Sequence, residues 1–376
     1  MKVLFLQNID GIAGSEKYFL ALIPSLIKKG IEVEMCCVIK QKKKDQAAPF
    51  IQLLKDKKIP FSLIYCQSYG SPLNLFRINR RVKKYGANIL HCHLIYADVW
   101  GAAIKQLFNK TITVVSTKHG YHETTYVKYC MKPQHLPKNL YYYLFKYSHK
   151  HINASYACSN GLFEFYTKAN LIEPSEMNVV QHGFDYPEIE PCDEKYRYSS
   201  QQIIITGRLI ERKGHHFLIS IMPKLIKEYP GICLVILGSG ELEADLKQQV
   251  ELLDVSSHIK FKGFQSDVAG FLQSSDIMLV TSYSEGLPLV IFEAFNAKTP
   301  VITFDTIGSN ELVEHQKTGL VVPAFDTDLL AESISFIFEN DLVAKQLTKN
   351  AYATLKSKFS LERMTEDTIQ FYNRTI

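Results

Sequence analysis

Two glutamates, Glu285 and Glu293, lie eight positions apart in the segment 284–294. Pro288 between them suits the first turn of a helix, so the sequence predicts Glu285 just before that helix and Glu293 on its second turn. Eight residues at helical rise span about 12 Å, which matches the separation between the hexose and the ribose of a nucleotide diphosphate sugar. Because apolar residues flank Glu293, a carboxylate without a partner there would be costly. We expect it to bind a pair of ligand hydroxyls, with an internal salt bridge as the alternative.

A second group of chemically active residues lies in the segment 206–214, between a predicted strand and a predicted helix. Arg208 and Lys213 are five positions apart across this short loop, and two converging cations suit a diphosphate. The alternative is a solvated basic loop. Gly238 and Gly240 follow the next predicted strand, where small residues permit close backbone approach to a nucleotide, although a simple strand-to-helix turn fits equally well.

The first half of the chain offers glycines and histidines at predicted strand ends. Gly11 and Gly14 follow the first strand but fit only part of the dinucleotide-binding pattern GxGxxG, so a plain turn fits equally well. His91 and His93 end one strand and His119 follows another, and ligands bind at the carboxyl edge of parallel sheets. We expect at most one of His91 and His93 to face the site, and His93 is nearer the edge. No carboxylate cluster accompanies these histidines, so no metal site is expected.

These motifs lie in a repeating pattern of short apolar runs and amphipathic stretches. The predicted strands are 2–7, 31–39, 89–93, 112–117, 155–158, 202–206, 232–237, 258–261, 276–280, 300–304 and 319–322. The predicted helices are 15–29, 75–85, 97–108, 160–169, 215–228, 241–253, 287–298, 309–315, 326–338 and 342–357. Such alternation is typical of parallel sheets covered on both faces by helices. The sequence therefore predicts an α/β fold of two Rossmann-like domains, separated by an acidic, proline-containing linker over about 184–200.

Composition excludes several classes of protein. The 376 residues are 46% hydrophobic and 22% charged, which suits two globular domains. The eight cysteines form no CxxC pair, which argues against zinc-ribbon and thioredoxin-like proteins and favours a reducing, cytoplasmic compartment. Residues 1–185 carry 25 Lys/Arg and 12 Asp/Glu, whereas 186–376 carry 18 and 26. Two halves of opposite charge suggest different partners, or else only solvated faces.

Taken together, the motifs resemble the retaining GT-B glycosyltransferases of family 4 (group 1). The spacing of Glu285 and Glu293 is similar to the EX7E signature of that family, and Gly207-Arg208 with Lys213-Gly214 is similar to its diphosphate-binding loop. Further segments follow the order and spacing of the family: Gly238-Ser239-Gly240, Lys262-Gly263-Phe264, Gly308-Ser309-Asn310-Glu311, Gly14-Ser15-Glu16 (its GGxE loop) and His119. The chain departs from the family at His182, where Asn is usual, and over 121–150, which matches nothing in it.

The resemblance implies a role for each of these residues. Arg208 and Lys213 would hold the diphosphate and stabilise the leaving group, Glu293 would bind the ribose, and Glu285 and His119 would contact the transferred sugar. The remaining donor-side residues would be Gly14, Gly207, Gly238, Gly240, Gly263, Phe264, Gly286, Leu287, Pro288 and Leu289, the last four through backbone N–H groups. The acceptor-side residues would be Ser15, Glu16 and His93. No cofactor and no metal would be required, because the two cations and a helix dipole supply positive charge.

The resemblance also implies the architecture and the reaction. Residues 1–183, with a C-terminal helix within 359–376 packed back on them, would bind the acceptor. Residues 184–358 would bind the donor, and the two parallel sheets would face each other across a deep cleft. The enzyme would move a sugar from a nucleotide diphosphate sugar, with UDP as the commonest nucleotide, to a hydroxyl of a glycan or lipid-linked acceptor with retention. Cell-surface polysaccharide, lipopolysaccharide or glycolipid synthesis is the expected context.

Other functions remain to be distinguished. A sugar-nucleotide 2-epimerase of the same architecture is the alternative enzyme. An NAD-dependent dehydrogenase is disfavoured because GxGxxG is absent, and a P-loop enzyme because GxxxxGK[ST] is absent. We expect no nucleic-acid partner.

The basic first half also suggests an anionic membrane surface or an anionic acceptor as a partner, with a peripheral location on the inner face of the membrane. Within it, the segment 75–85 reads as a basic amphipathic helix. Its basic side would carry Arg77, Arg80, Arg81, Lys83 and Lys84, and its apolar side Leu75, Ile78, Val82 and Tyr85. For this helix by itself, an ordinary surface helix packed on the sheet is the favoured interpretation.

Overall fold

The computed structural model describes residues 1–122, 132–189 and 196–376. Their Cα positions divide into two compact units. Of the described residues, unit one contains those within Met1–His122, Lys132–Asp185 and Phe359–Ile376, and unit two those within Tyr186–Lys358. The segment 121–150 is thus described only in part, because 123–131 lie outside the described residues.

Unit one contains a parallel sheet whose strands, within the described residues, follow the order β3-β2-β1-β4-β5-β6-β7. The strands are β1 (Lys2–Asn8), β2 (Glu32–Lys40), β3 (Phe61–Cys66), β4 (Ile89–His93), β5 (Thr113–Lys118), β6 (Ala154–Ala157) and β7 (Met177–Val179). The strand order reverses between β1 and β4, so the carboxyl ends of these two strands flank a topological switch point, where ligands bind in open α/β sheets.

Helices cover both faces of this sheet. They are α1 (Gly14–Lys28), α2 (Lys44–Asp56), α3 (Pro72–Tyr85), α4 (Leu94–Leu107), α5 (Leu140–His151) and α6 (Asn160–Lys168). Val3 and Phe5 on β1 belong to one buried apolar cluster, and Leu4 and Leu6 belong to another. Because successive strand residues point to opposite faces, a strand that is covered on both faces carries a continuous apolar run, as β1 does over residues 3–6.

Unit two repeats the arrangement with a sheet of order β10-β9-β8-β11-β12-β13, again parallel. The strands are β8 (Gln201–Thr206), β9 (Ile232–Leu237), β10 (Ile259–Gly263), β11 (Ile277–Val280), β12 (Val301–Phe304) and β13 (Leu320–Val322). The helices are α7 (His215–Glu228), α8 (Glu243–Leu252), α9 (Val268–Gln273), α10 (Leu289–Ala297), α11 (Thr327–Glu339) and α12 (Asp341–Lys358). The switch point of this sheet lies between β8 and β11.

The C-terminal helix α13 (Leu361–Thr375) belongs to unit one and packs against α1. Met364, Phe371 and Tyr372 on this helix are buried in the same cluster as Phe5. The Tyr372 hydroxyl is hydrogen-bonded at 2.6 Å to Nδ1 of His91 on β4. The last helix is therefore part of the core of unit one and not an appended tail.

The predicted fold class, two Rossmann-like domains with parallel sheets, is confirmed, but some elements differ. The predicted helix 309–315 is wrong: the chain makes successive turns there, starting from Gly308 at a φ of 84°. The strands β3 and β7 and the helices α2, α5 and α9 were not predicted. The strand β3 lies at the edge of its sheet, where side chains such as Tyr65 are exposed, so its sequence is not continuously apolar. Among the described helices, none has a segment long and apolar enough to span a bilayer.

Helix α3 contains the predicted basic amphipathic segment, and its apolar residues Ile78 and Val82 are buried against the sheet. The five basic residues do not form one free polar side as expected. Arg81 pairs with the buried Glu34 on β2, and Arg77 donates a hydrogen bond to the Tyr65 carbonyl. The remaining three, Arg80, Lys83 and Lys84, are exposed.

Candidate functional site

The donor-side motifs of unit two meet at the carboxyl ends of two adjacent strands. The loop containing Arg208, Arg212 and Lys213 follows β8, and the turn containing Glu285 follows β11. A backbone hydrogen bond joins the two, because the Tyr283 N–H donates to the Arg212 carbonyl at 2.9 Å. The topology thus brings together residues that are far apart in the sequence.

Glu285 forms ion pairs with two cations. Arg212 Nη1 lies 2.6 Å from Glu285 Oε2, and Lys213 Nζ lies 2.7 Å from Oε1. The side chains of Arg212, Lys213 and Glu285 are only 12%, 14% and 7% exposed. Burial acts to raise the pKa of Glu285, but the charges of Arg212 and Lys213 outweigh it and hold this pKa at about 2. The carboxyl group is therefore ionised at neutral pH, and the group of three carries one excess positive charge that can attract an anion.

Arg212 was missed as a site residue. Arg208 and Lys213 were predicted from their spacing, yet only Lys213 of those two pairs with Glu285. Arg208 is exposed. Burial lowers the pKa of Lys213, and the charge of Glu285 acts to raise it. The charges of Arg212 and Arg208 lower this pKa further, so Arg208 is close enough to affect the cluster. The run Arg212-Lys213 was a usable signal, since both cations directly precede a helix N-terminus, where anions bind.

The glycines of unit two allow loops to pack closely on one another. A Cβ on Gly207 would lie 3.3 Å from Cε of Lys213, so the lysine passes directly over this glycine. A Cβ on Gly238, whose φ is 129°, would collide with the Gly207 carbonyl, and one on Gly240 would collide with the backbone of Leu209. Gly238 and Gly240 were expected to let a nucleotide approach the backbone closely. In the structure, the neighbouring loop is what packs closely against both glycines.

Phe264 is a second notable feature of this edge. It follows Gly263, which has a φ of 65° at the end of β10 and accepts a hydrogen bond at 2.8 Å from the N–H of Gly238. The Phe264 ring is 82% exposed, which is unusual for a phenylalanine. The structure places it beside the Gly238 loop, where it is available for stacking.

The segment between the two glutamates differs in part from the expected geometry. Helix α10 begins at Leu289, with Pro288 as its extended N-cap residue. Only the part from Leu289 to Glu293 rises as a helix, so the 12 Å estimate does not apply to the whole spacing. Gly286, Leu287, Pro288 and Leu289 are buried, and Pro288 has no N–H, so only the other three can donate to a ligand.

Glu293 is half-buried and not enclosed by its apolar neighbours in the sequence. On a helix, adjacent residues point in different directions, and Ile291, Phe292 and Ala294 turn inward while Glu293 does not. The charge of Glu293 affects the phenol of Tyr186. Burial, and to a smaller extent this charge, raise the pKa of Tyr186 well above its ordinary value. A partly exposed carboxylate remains suited to hydroxyl recognition.

In unit one, the loop after β1 is held by Glu16. Glu16 is buried, its Oε1 accepts a hydrogen bond at 2.5 Å from Gln7 Nε2, and its Oε2 accepts one at 2.9 Å from the N–H of Ala13. Ser15 donates its hydroxyl to Glu16 at 3.1 Å, and Gly14 is the exposed first residue of α1. Glu16 therefore holds the loop in place through buried hydrogen bonds. Of the other two residues predicted to belong to the site here, Gly14 is exposed and Ser15 is half-buried.

His91 and His93 lie close together on one side of β4, and only one of them adjoins another predicted site residue. Residues two apart on a strand point to the same face, and the two imidazole rings lie 4.3 Å apart. Both are buried. His91 is bonded to Tyr372 and, through Nε2 at 2.7 Å, to the Thr117 hydroxyl, whereas His93 Nδ1 lies 2.9 Å from Nε2 of His119. Only His93 of the pair thus adjoins the other predicted site residue.

His119 follows β5 and lies in a cluster of aromatic rings with His93, His182 and Tyr18. Burial lowers the pKa of His119 to about 3, and burial also lowers the pKa values of His93 and His182 well below the ordinary value. These imidazoles are therefore neutral at physiological pH and can accept or donate a hydrogen bond without carrying charge.

The chain matches known protein families along most of its length. Residues 12–186 match the family described as Glycosyltransferase Family 4, and residues 194–354 match Glycosyl transferases group 1. An uncharacterized glycosyltransferase of Haemophilus influenzae is 24% identical over 96% of this chain and 97% of its own. The UDP-Gal:alpha-D-GlcNAc-diphosphoundecaprenol alpha-1,3-galactosyltransferase of Escherichia coli is 22% identical over 99% of this chain and 96% of its own.

Among solved structures, Anabaena HepE in complex with UDP-glucose has the same fold, with a TM-score of 0.81 at 20% identity over the whole of both chains. The two family matches together cover most of the chain and include both sets of motifs. The chain therefore belongs to the group 1 glycosyltransferases of family 4, a retaining family of GT-B enzymes that use nucleotide-sugar donors.

Proposed function

We propose that this glycosyltransferase moves a sugar from a UDP-sugar to a hydroxyl of a glycan or lipid-linked acceptor, with retention of anomeric configuration, in the synthesis of cell-surface polysaccharide or glycolipid. The observation that carries the proposal is the buried group of Arg212, Lys213 and Glu285. Its excess positive charge lies at the switch point of the unit-two sheet, where a diphosphate would bind.

Charge and geometry support a diphosphate at this position. Lys213 passes over Gly207, and Arg208 is exposed in the same loop. Together with Arg212, the loop therefore offers three cations to the two phosphates. The positive end of α10 and the N–H groups of Gly286, Leu287 and Leu289 add partial positive charge. These groups would stabilise the charge that develops on the leaving diphosphate, and no divalent metal is proposed for this step.

The proposed roles of the two glutamates follow from their surroundings. Glu285 is ionised and held in one orientation by its two cations, so its carboxylate is suited to accept hydrogen bonds from hydroxyls of the transferred sugar. Glu293 is partly exposed on α10 and would accept hydrogen bonds from the ribose. In the reaction, the bond between the anomeric carbon and the diphosphate oxygen breaks and a bond to the acceptor oxygen forms on the same face. The leaving phosphate oxygen takes the acceptor proton.

UDP is the proposed nucleotide. HepE, with the same fold, is described in complex with UDP-glucose, and the Escherichia coli relative is named for UDP-Gal. The exposed ring of Phe264 beside the Gly238 loop would stack on the uracil. The roles proposed in unit one, for His119 at the sugar, Gly14 at the phosphates and Ser15, Glu16 and His93 on the acceptor side, rest on the family resemblance.

A lipid-linked acceptor is proposed from charge and surface chemistry. The Escherichia coli relative is named for a diphosphoundecaprenol acceptor, which is an anionic lipid. In unit one, Arg80, Lys83 and Lys84 are exposed on α3, and Leu73 and Phe76 on the same helix are 61% and 57% exposed. Exposed basic and apolar side chains on one helix are suited to an anionic membrane surface, with attraction of about 1 kcal/mol per basic residue.

Incubation with radiolabelled UDP-glucose, UDP-galactose and UDP-N-acetylglucosamine, with and without undecaprenyl diphosphate-linked sugars, tests the proposal. Label should move to the lipid fraction only when both donor and acceptor are present, with release of UDP. A 2-epimerase, the alternative enzyme, would release UDP and free sugar from the donor without any acceptor. Label that stays in the donor with every acceptor, or that is released equally without one, would rule out the proposed transfer.

A further inference from the structure

The sequence predicted no metal site, but the geometry points to a Zn²⁺-binding site in unit one, formed by His119, Cys158 and His182, which we propose in addition to the diphosphate site of unit two. One ligand atom from each of the three side chains lies within 4.8 Å of the others. Two imidazole nitrogens and one thiol sulfur are the ligand types that Zn²⁺ prefers in proteins.

The positions of the three residues follow from the sheet. His119 comes directly after β5, Cys158 directly after β6, and His182 a few residues after β7. These strands are parallel neighbours, so their carboxyl ends lie side by side at one edge. The sequence could not reveal the cluster because each ligand comes from a different strand, without a CxxC or HxxxH spacing.

His182 supplies an independent reason to expect a ligand. Its side chain is only 4% exposed, and neither ring nitrogen has a hydrogen-bond partner among the described residues. An imidazole has at least one N–H donor and one acceptor or metal-binding nitrogen, and leaving both unsatisfied in the interior costs free energy. A metal ion bound by one nitrogen would remove part of this cost.

The hydrogen bond of His119 prepares its other nitrogen for a metal. Nε2 of His119 lies 2.9 Å from Nδ1 of His93, while Nδ1 of His119 is buried and has no hydrogen-bond partner among the described residues. A histidine that binds a metal usually donates its remaining N–H to a second group, which fixes the tautomer and the ring orientation. His93 is such a group, and Nδ1 of His119 is then the ligand atom.

The spacing requires only a small adjustment. Ligand atoms of a tetrahedral zinc site lie about 3.3–3.8 Å apart, as follows from Zn–N and Zn–S bonds of about 2.0 and 2.3 Å. A contraction of about 1 Å, within the reach of side-chain rotation, would close the cluster on the ion. Binding would replace the thiol proton of Cys158, which is released to solvent, and would leave a fourth position for water. Among the described residues no carboxylate belongs to the cluster, so Mg²⁺ and Ca²⁺ are disfavoured.

An occupied site would have a consequence for the reaction. His119 is also the imidazole proposed to contact the transferred sugar, and a bound zinc ion would draw it away. Zinc should therefore lower the rate of sugar transfer. This inhibition, unlike the site itself, rests on the proposed function. If zinc binds but does not slow sugar transfer, the result contradicts the role proposed for His119 and not the zinc site.

The site is tested by titrating the reduced, tag-free full chain with Co²⁺ and following its absorption spectrum. We expect one equivalent to bind with tetrahedral d–d bands and a thiolate-to-cobalt charge-transfer band, and Zn²⁺ to displace it. His182→Asn and Cys158→Ser should each weaken zinc binding by at least about tenfold, as loss of a ligand costs no less than loss of a group supporting it. In Cys158→Ser the charge-transfer band should disappear.

Matched controls use residues of the same type outside the cluster. Cys66→Ser removes another buried thiol of unit one, and His151→Asn removes another of its histidines. Both should bind cobalt and zinc as the unsubstituted protein does, and circular dichroism checks that each variant is folded. Absence of a thiolate band in the unsubstituted protein, or unchanged zinc affinity in a folded Cys158→Ser or His182→Asn variant, would overturn the proposal.

Discussion

Replacement of Glu285 by glutamine tests the electrostatics of the donor site most directly. The substitution preserves the size of the side chain and removes its negative charge. Arg212 and Lys213 would then face each other with little solvent around them, since their side chains are 12% and 14% exposed. Removing one partner of a buried ion pair is strongly destabilising because it leaves an uncompensated charge.

The magnitude follows from the pKa of Glu285, which lies at about 2 instead of the ordinary 4.5. A difference of about 2.5 pH units corresponds to about 3 kcal/mol of favourable interaction with the ionised form. Because the pKa is lower in the folded protein, this contribution is present above pH 4.5 and is lost as the pH falls toward 2. At pH 7.5, Glu285→Gln should therefore reduce the free energy of unfolding of unit two by about 3 kcal/mol.

Differential scanning calorimetry measures this effect. For a unit of this size, about 3 kcal/mol lowers the melting temperature by roughly 6–12 °C. Glu314→Gln is the matched control, because Glu314 pairs with Lys317 in the same unit but with both side chains more than half exposed. An exposed pair contributes little, so the control should melt close to the unsubstituted protein.

Addition of UDP distinguishes an effect of the substitution on diphosphate binding from its effect on stability. If the diphosphate neutralises Arg212 and Lys213, it should stabilise Glu285→Gln by more than it stabilises the unsubstituted protein, in which Glu285 already supplies negative charge. A variant that melts within about 2 °C of the unsubstituted protein would refute the electrostatic argument. A destabilised variant with an equal or smaller response to UDP would show that these cations do not contact the phosphates.

Three further predictions concern the donor and the membrane. Arg208→Ala and Glu293→Gln should each lower transfer by roughly 30- to 1,000-fold, or about 2–4 kcal/mol of transition-state stabilisation, with an unchanged circular dichroism spectrum; near-normal turnover would contradict the assignment. UDP should raise the melting temperature equally with EDTA and with Mg²⁺, because cations of the chain bind the diphosphate; strict dependence on a divalent metal would contradict this. In co-sedimentation, the unsubstituted protein should bind anionic liposomes at low salt and be released as salt rises, and the triple substitution Arg80→Glu, Lys83→Glu and Lys84→Glu should abolish binding; equal recovery with neutral vesicles would exclude electrostatic docking.

The sequence alone predicted the fold class and the position of the donor loops. Strands buried on both faces carry continuous apolar runs, such as residues 3–6 of β1, and their alternation with amphipathic helices indicates a parallel sheet without further information. The edge strand β3 was not predicted in this way because some of its side chains, such as Tyr65, are exposed to solvent. Residues 309–315 were predicted as a helix, but the chain makes turns there, and Leu312 and Val313 are buried without a helix.

What the sequence determined is the inventory of groups: cations after β8, carboxylates around α10 and histidines at the ends of β4 and β5. What only the tertiary structure decided is which of them pair. Arg212, not Arg208, shares Glu285 with Lys213, because the direction of each side chain in a loop depends on backbone angles that spacing does not reveal. In the same way, His119 meets His182 because β5, β6 and β7 are neighbours in the sheet, and strand order depends on packing across the whole unit.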